Sequence, residues 1–81
     1  MSSRFFQNAV VGTKQVLRAI QAGVLERVVI ALDTETFLQN KLRTVCEEYG
    51  MAVETVATMR ELGALCGIEV GAACAGLRKQ P

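Results

Sequence analysis

Three hydrogen-bonding side chains behind a glycine and a threonine, in the stretch Gly12-Thr13-Lys14-Gln15-Val16-Leu17-Arg18, are the residues best placed for chemistry. They follow the apolar run Ala9-Val10-Val11, so Gly12 and Thr13 read as a turn and an N-cap that open a helix. The first backbone N–H groups of a helix lack intrahelical acceptors and lie at the positive pole of its dipole, an end that attracts anions. Lys14 and Arg18 are four residues apart and share one face, with Gln15 beside them able both to donate and to accept. The chemistry that fits is the holding of a polyanion with some discrimination among its groups, and RNA is the leading candidate. The same glycine and threonine also serve α/β turns for reasons of fold alone.

Catalysis finds little to work with. The 81-residue chain has no histidine, which removes Ser-His and Cys-His pairs and the commonest zinc sites together. Cys46, Cys66 and Cys74 are odd in number, lack C-x-x-C spacing and sit among apolar neighbours, so they read as reduced core residues. Glu26, Glu47, Glu48 and Glu54 fall at helix ends and exposed faces, where a solvated surface accounts for them. Asp33 and Glu35 lie just beyond the strongest strand, where α/β folds place ligands, although Asp33 also reads as a helix cap. Neither a P-loop nor G-x-G-x-x-G occurs. No catalytic residue, metal ligand or cofactor is therefore expected.

The totals set further bounds. An apolar fraction of 51% with 21% charged residues fits one small soluble domain spanning residues 1–81. Net charge is +1, so any basic site must be local. No apolar run is long enough to cross a bilayer, and Met1-Ser2-Ser3-Arg4-Phe5-Phe6 lacks the apolar stretch of a secretory signal, so a cytoplasmic location is expected.

The elements that position these residues follow from hydrophobic period. Ala9 to Val11 reads as a short strand, and Val16, Leu17 and Ile20 give the next helix its apolar stripe until Gly23 stops it in the αL conformation. Val28-Val29-Ile30-Ala31-Leu32 is a continuous run suited to a strand covered on both faces, the centre of the sheet. Asp33 or Thr34 then caps the longest helix, which carries Leu38, Leu42, Val45, Cys46 and Tyr49 at helical spacing and closes at Gly50. Ala52 to Val56 is a third strand, and Thr58 to Glu61 is a capping box opening a short helix that ends at Gly67. Gly63 inside that helix implies a close approach by the sheet or another backbone. Ile68-Glu69-Val70 is an exposed connection, Gly71 to Leu77 a strand of small residues packed under a helix, and 78–81 a free tail. Residues 1–8 suggest a short helix or arm with Phe5 and Phe6 against the body. Alternating strands and helices give an α/β domain with helices on both faces of a four-stranded sheet.

Three segments, VVGTKQVLRAIQAG, VVIALDTE and ELGALCGIEVGAA, occur in order with the separation that resembles the kink-turn RNA-binding superfamily of ribosomal proteins. The likeness runs from about Val10 to Ala75 and is to the archaeal L7Ae and eukaryotic L30e type, above all to a small bacterial branch carrying G-T-K-Q and L-G-x-x-C-G-I-E-V-G-A-A. It implies a three-layer α/β/α sandwich with a mixed sheet. By position it also implies RNA contacts from Gly12, Thr13, Lys14, Gln15 and Arg18, from the apolar loop Ile68, Glu69 and Val70, and at a second tier from Asp33 and Glu35. The archaeal and eukaryotic pattern has asparagine and glutamate where this chain has Lys14 and Gln15, and lysine at Arg18; its proline after Asp33 is replaced by Thr36. In a sheared G·A pair the guanine keeps O6, N7 and N1–H free, so a glutamine can donate to O6 and accept from N1–H while the cations reach O6, N7 or phosphate.

The resemblance thus implies a monomeric, non-enzymatic module that captures a kink-turn in a ribosomal RNA or a riboswitch, with Gln15 reading guanine and Ile68 and Val70 covering an ejected base. A protein-interaction module that keeps the scaffold but has lost RNA recognition is the alternative. A small enzyme using Asp33, Glu35 or a cysteine is a third reading, and it lacks a visible activating base.

Overall fold

The run Val28 to Ala31 sits in the sheet interior, with Val28 and Ile30 facing one side and Val29 and Ala31 the other, all four buried. Coverage on both faces explains why this strand is apolar without alternation. The computed structural model describes Phe6 and residues 8–79. In chain order the elements are β1 (Val10–Val11), α1 (Thr13–Ala22), β2 (Leu25–Ala31), α2 (Thr36–Glu48), β3 (Ala52–Val56), α3 (Met59–Leu65) and β4 (Cys74–Arg78).

The sheet is mixed, in the order β1-β4-β2-β3. Strand β2 runs parallel to β3, and β4 lies antiparallel between β1 and β2. On one face α1 and α2 pack Val16, Ile20, Leu42 and Cys46 against Val28, Ile30 and Cys74. On the other, α3 packs Leu62 against Val29, Ala31, Ala75 and Leu77, with Phe6, Val11 and Ile68 around it. The result is the expected three-layer α/β/α sandwich. No helix among the described residues is long and apolar enough to cross a membrane.

A bulge between Leu25 and Arg27 breaks the alternation of β2, so Leu25 joins Val28 and Ile30 on the α1 side. There it occupies the space that a side chain on Gly76 would need. The small residues of β4 thus make room for a neighbouring strand's leucine, not only for a helix. Gly23 ends α1 with φ 74°, and Val24 N–H donates to the Ala19 carbonyl, the capping geometry expected there.

Several local expectations are corrected. Gly12, with φ 103°, occupies the N-cap position of α1 and Thr13 is already helical, so the threonine hydroxyl does not cap; it accepts instead from Cys74 Sγ at 3.8 Å. Neither Asp33 nor Thr34 caps α2, because residues 32–35 are needed to turn the chain, and Glu35 takes the N-cap position without a side-chain bond. Gln39 Nε2 secures that turn from within the helix, donating to the carbonyls of Leu32 at 3.1 Å and Thr34 at 2.8 Å. Strand β4 starts at Cys74, since Ala72 N–H is drawn off to the Met59 carbonyl. Arg78 is part of that strand, and Lys79 N–H donates to the Val24 carbonyl, so the chain is held two residues into the expected tail. Phe6 packs against the α3-side core, as anticipated; Phe5 lies outside the described residues.

Candidate nucleic-acid interface

Strands β1, β2 and β3 point the same way, since β1 and β2 both oppose β4 and β3 parallels β2. Their carboxyl ends and the amino end of β4 therefore share one rim, the edge at which open α/β sheets gather their loops. Backbone bonds stitch it together. Gly12 N–H donates to the Cys74 carbonyl at 3.2 Å, Ala31 N–H to Ala73 at 3.0 Å, and Leu32 N–H to Val56 at 2.9 Å. The start of β4 is thus clasped between the turn at Gly12 and the turn after β2.

At this rim α1 opens with free donors. Its first ladder bond runs from Val16 N–H to the Gly12 carbonyl at 2.9 Å, which leaves the N–H groups of Thr13, Lys14 and Gln15 without helical acceptors. Gly12 offers no side-chain cap, and the first turn contains no acidic residue to offset the dipole. Lys14, Gln15 and Arg18 are exposed, whereas Gly12 and Thr13 are half-buried. Gln15 lies at the third helical position with its Oε1 over Gly12, where a Cβ would stand 2.8 Å away. Glycine at this position therefore gives both the positive φ and the room for the glutamine.

The opening of α3 is closed by contrast. Thr58 Oγ1 accepts from Glu61 N–H at 3.0 Å, the forward half of the expected capping box, and Asp33 Oδ1 accepts from Met59 N–H at 2.8 Å. Asp33 thus caps a helix other than the one it precedes. The effect is to fasten the turn after β2 to the start of α3. Glu35, two residues on, is exposed.

The segment from Gly67 to Ala73 climbs back along α3 to the same rim. Gly67, with φ 77°, reverses the chain, and Ile68 N–H donates to the Gly63 carbonyl at 3.0 Å. Next, the Val70 carbonyl presses on Gly63 where any Cβ would collide with it, and Gly71 stacks on Met59. The close approach expected at Gly63 is thus to backbone. Ala72 N–H then bonds the Met59 carbonyl at 2.9 Å before the chain enters β4 beside Gly12. Ile68 turns inward to the Leu62 cluster, whereas Val70 is 70% exposed and Glu69 is exposed. The Gly12 turn, the turn after β2 and the start of β4 accordingly share one rim, and Ala73 back to Gly71 leads from it to Val70, whose carbonyl lies against Gly63 within α3; the apolar surface of that loop is Val70 and not Ile68.

The cysteines are unsuited to nucleophilic work. Burial pushes the Cys74 thiol up to about 11, the Thr13 hydroxyl offsetting this only in part, and burial raises Cys46 and Cys66 as well. Among the described residues, no group of three or more His, Cys, Asp or Glu is placed to hold a metal ion. One residue, at the far end of β4 from this rim, is missed by sequence reasoning. Arg78, read there as tail, lines a groove with Gln15 and Arg18; the run of small residues before it hides the strand that carries it.

Comparison with known proteins agrees with this architecture. The chain is 46% identical over 66 residues to RNA-binding protein TTE2299 of Caldanaerobacter subterraneus subsp. tengcongensis, covering 82% of this chain and 80% of that one. It is 40% identical over 70 residues to RNA-binding protein BH0128 of Halalkalibacterium halodurans, covering 86% and 85%. Among solved structures, the Giardia lamblia 15.5kD RNA binding protein superposes with a TM-score of 0.84 at 25% identity, over 91% of this chain and 62% of that one. Residues 6–81 match the family described as ribosomal protein L7Ae/L30e/S12e/Gadd45, and the chain belongs to that family.

Proposed function

We propose that this protein is a non-enzymatic RNA-binding module, acting as a monomer in the cytoplasm, that captures a kink-turn in a ribosomal RNA or a riboswitch. One observation supports the reading: the uncapped, acid-free opening of α1, with Lys14, Gln15 and Arg18 exposed, stands at the rim from which Ala73 back to Gly71 leads to the exposed Val70. RNA-binding relatives that align over most of both chains support the ligand class.

A regular RNA duplex keeps its base edges inside a deep, narrow major groove. A sharp bend with G·A pairs opens that groove to a helix end. Gln15 then reads a guanine edge, while Lys14, Arg18 and the Thr13 and Lys14 amides hold O6, N7 or phosphate. Gly12 lets the backbone come close. Val70 covers a base ejected at the bend, Ile68 supports the loop beneath it, and Glu69 and Glu35 border the RNA. Asp33 acts through α3, as a positioning residue. Because these contacts exist only with the bent form, binding draws the RNA toward it.

The test is a titration of a kink-turn RNA beside the same RNA with its G·A pairs replaced by Watson–Crick pairs. Strong preference for the first is expected, with a log–log salt slope of about −2 from two or three cationic contacts. Equal affinity for both rejects shape-selective recognition, and a slope several times steeper rejects this face as the binding surface.

A further inference from the structure

Between α1 and strands β1 and β4 lies an open groove of about 400 Å³, lined by Gln15, Arg18, Ala19 and Ala22 of α1, Val10 of β1 and Arg78 of β4. The α1 residues fall at i, i+3, i+4 and i+7, one continuous stripe about 10 Å long. That is the axial length of roughly three nucleotides of a single strand. Two alanines keep the helix wall low, so a backbone can approach it. The guanidinium groups stand on different elements, one on α1 and one on β4, and no carboxylate lines the groove. Among the described residues the one ion pair is Arg27 with Glu54, at 3.1 Å, so neither arginine of the groove is engaged by a described acidic residue. Gln15 belongs both to this groove and to the opening of α1, which makes the two surfaces continuous.

We infer that the groove takes the sugar-phosphate backbone of one stem flanking the bend, with Arg78 contacting phosphate. The inference rests on the RNA reading above and deepens it, assigning to β4 a contact that the helix opening cannot make. Two cationic side chains lining one groove without a carboxylate favour an anion there, and a phosphate can accept forked hydrogen bonds from a guanidinium. The site reads no base. It orients the stem and thereby sets which strand lies over Gln15.

The test uses the full chain with Arg78→Gln and Arg78→Lys, and kink-turn RNAs in which one stem or the other is cut to a few base pairs. Loss of one phosphate contact predicts about five- to eightfold weaker binding of the long-stemmed RNA to Arg78→Gln at 0.1 M salt, and a salt slope shallower by about 0.7–0.9. Arg78→Lys keeps most of the slope. The loss disappears when one particular stem is shortened, and preference for the kink-turn over its Watson–Crick control is retained. Arg78 is exposed, so both variants should melt with the parent. Unchanged affinity and slope in Arg78→Gln, with the parent still discriminating, overturns the groove assignment alone. An equal loss whichever stem is cut also overturns it, as diffuse attraction. A parent that does not discriminate overturns the underlying RNA reading instead.

Discussion

Replacing Gly63 by alanine tests whether the loop that carries Val70 is pressed into shape by α3. The new methyl group would overlap the Val70 carbonyl oxygen and stand 3.0 Å from its carbonyl carbon and 3.2 Å from Gly71 Cα. All three atoms are backbone, so no side-chain rotation relieves the clash; the loop must retreat, on the order of 1 Å. Retreat at Gly71 disturbs its packing on Met59 and the 2.9 Å bond from Ala72 N–H to the Met59 carbonyl. Alanine gains about 1 kcal/mol in helix propensity, whereas overpacking a buried site costs about 1–3 kcal/mol. Adding a strained loop hydrogen bond of about 1 kcal/mol, the net loss is about 1–3 kcal/mol. For a chain of this size that lowers the melting temperature by roughly 4–24 °C. Differential scanning calorimetry measures the shift, and titration at a temperature where the variant is folded measures its preference for the kink-turn RNA. Equal or greater stability together with undiminished preference would refute the reasoning that Gly63 fixes this loop.

Three further outcomes are expected. Gln15→Ala combined with Arg18→Ala abolishes RNA retention at unchanged circular dichroism; retention at the parent level would favour the protein-interaction reading, in which partner binding survives these changes. Asp33→Ala removes the acceptor for Met59 N–H and lowers stability by about 1 kcal/mol in urea denaturation; no change would mean that the turn after β2 and α3 are not energetically tied. Since burial holds Cys74 at about 11 against an ordinary 9.0, the unfolded chain loses this proton first as pH rises. Stability from this group is complete below about pH 9 and falls by up to about 2–3 kcal/mol as pH climbs to about 11. Cys74→Ala flattens that stretch of the stability curve, and a parent-like slope in the variant would exclude Cys74 as its source.

Hydrophobic period and glycine positions made most of the fold legible. The runs at Val28 to Ala31 and Ala52 to Val56 have few alternatives to strands, and Gly23, Gly50 and Gly67 stop helices where their positive φ angles require. The caps of α1 and α2 escape the sequence because Thr13 and Asp33 have the chemistry of caps, while their true partners, Cys74 and Met59, are distant in sequence. The same limit hides Leu25 under Gly76 and the groove that Arg78 shares with Arg18, since both depend on which strand neighbours β4. As for the proposed interface, residue types suggest its two halves, but only strand directions show that the Gly12 turn and the start of β4, which the loop precedes, share one rim. Ile68 and Val70 are equally apolar in sequence, and which of them faces solvent is decided by the reversal at Gly67.

The strand order has a temporal consequence. The strand made last is the one wedged between the first two, so β1 finds no hydrogen-bonding neighbour while the chain is still being synthesised. Until residues 74–78 clear the ribosomal tunnel, the strand ending before Gly12 lacks its pairing partner, and the proposed RNA-binding face is incomplete. A nascent chain that stops short of Cys74 keeps α1 packed on β2 and α2 but leaves the Gly12 turn without the carbonyl that fastens it.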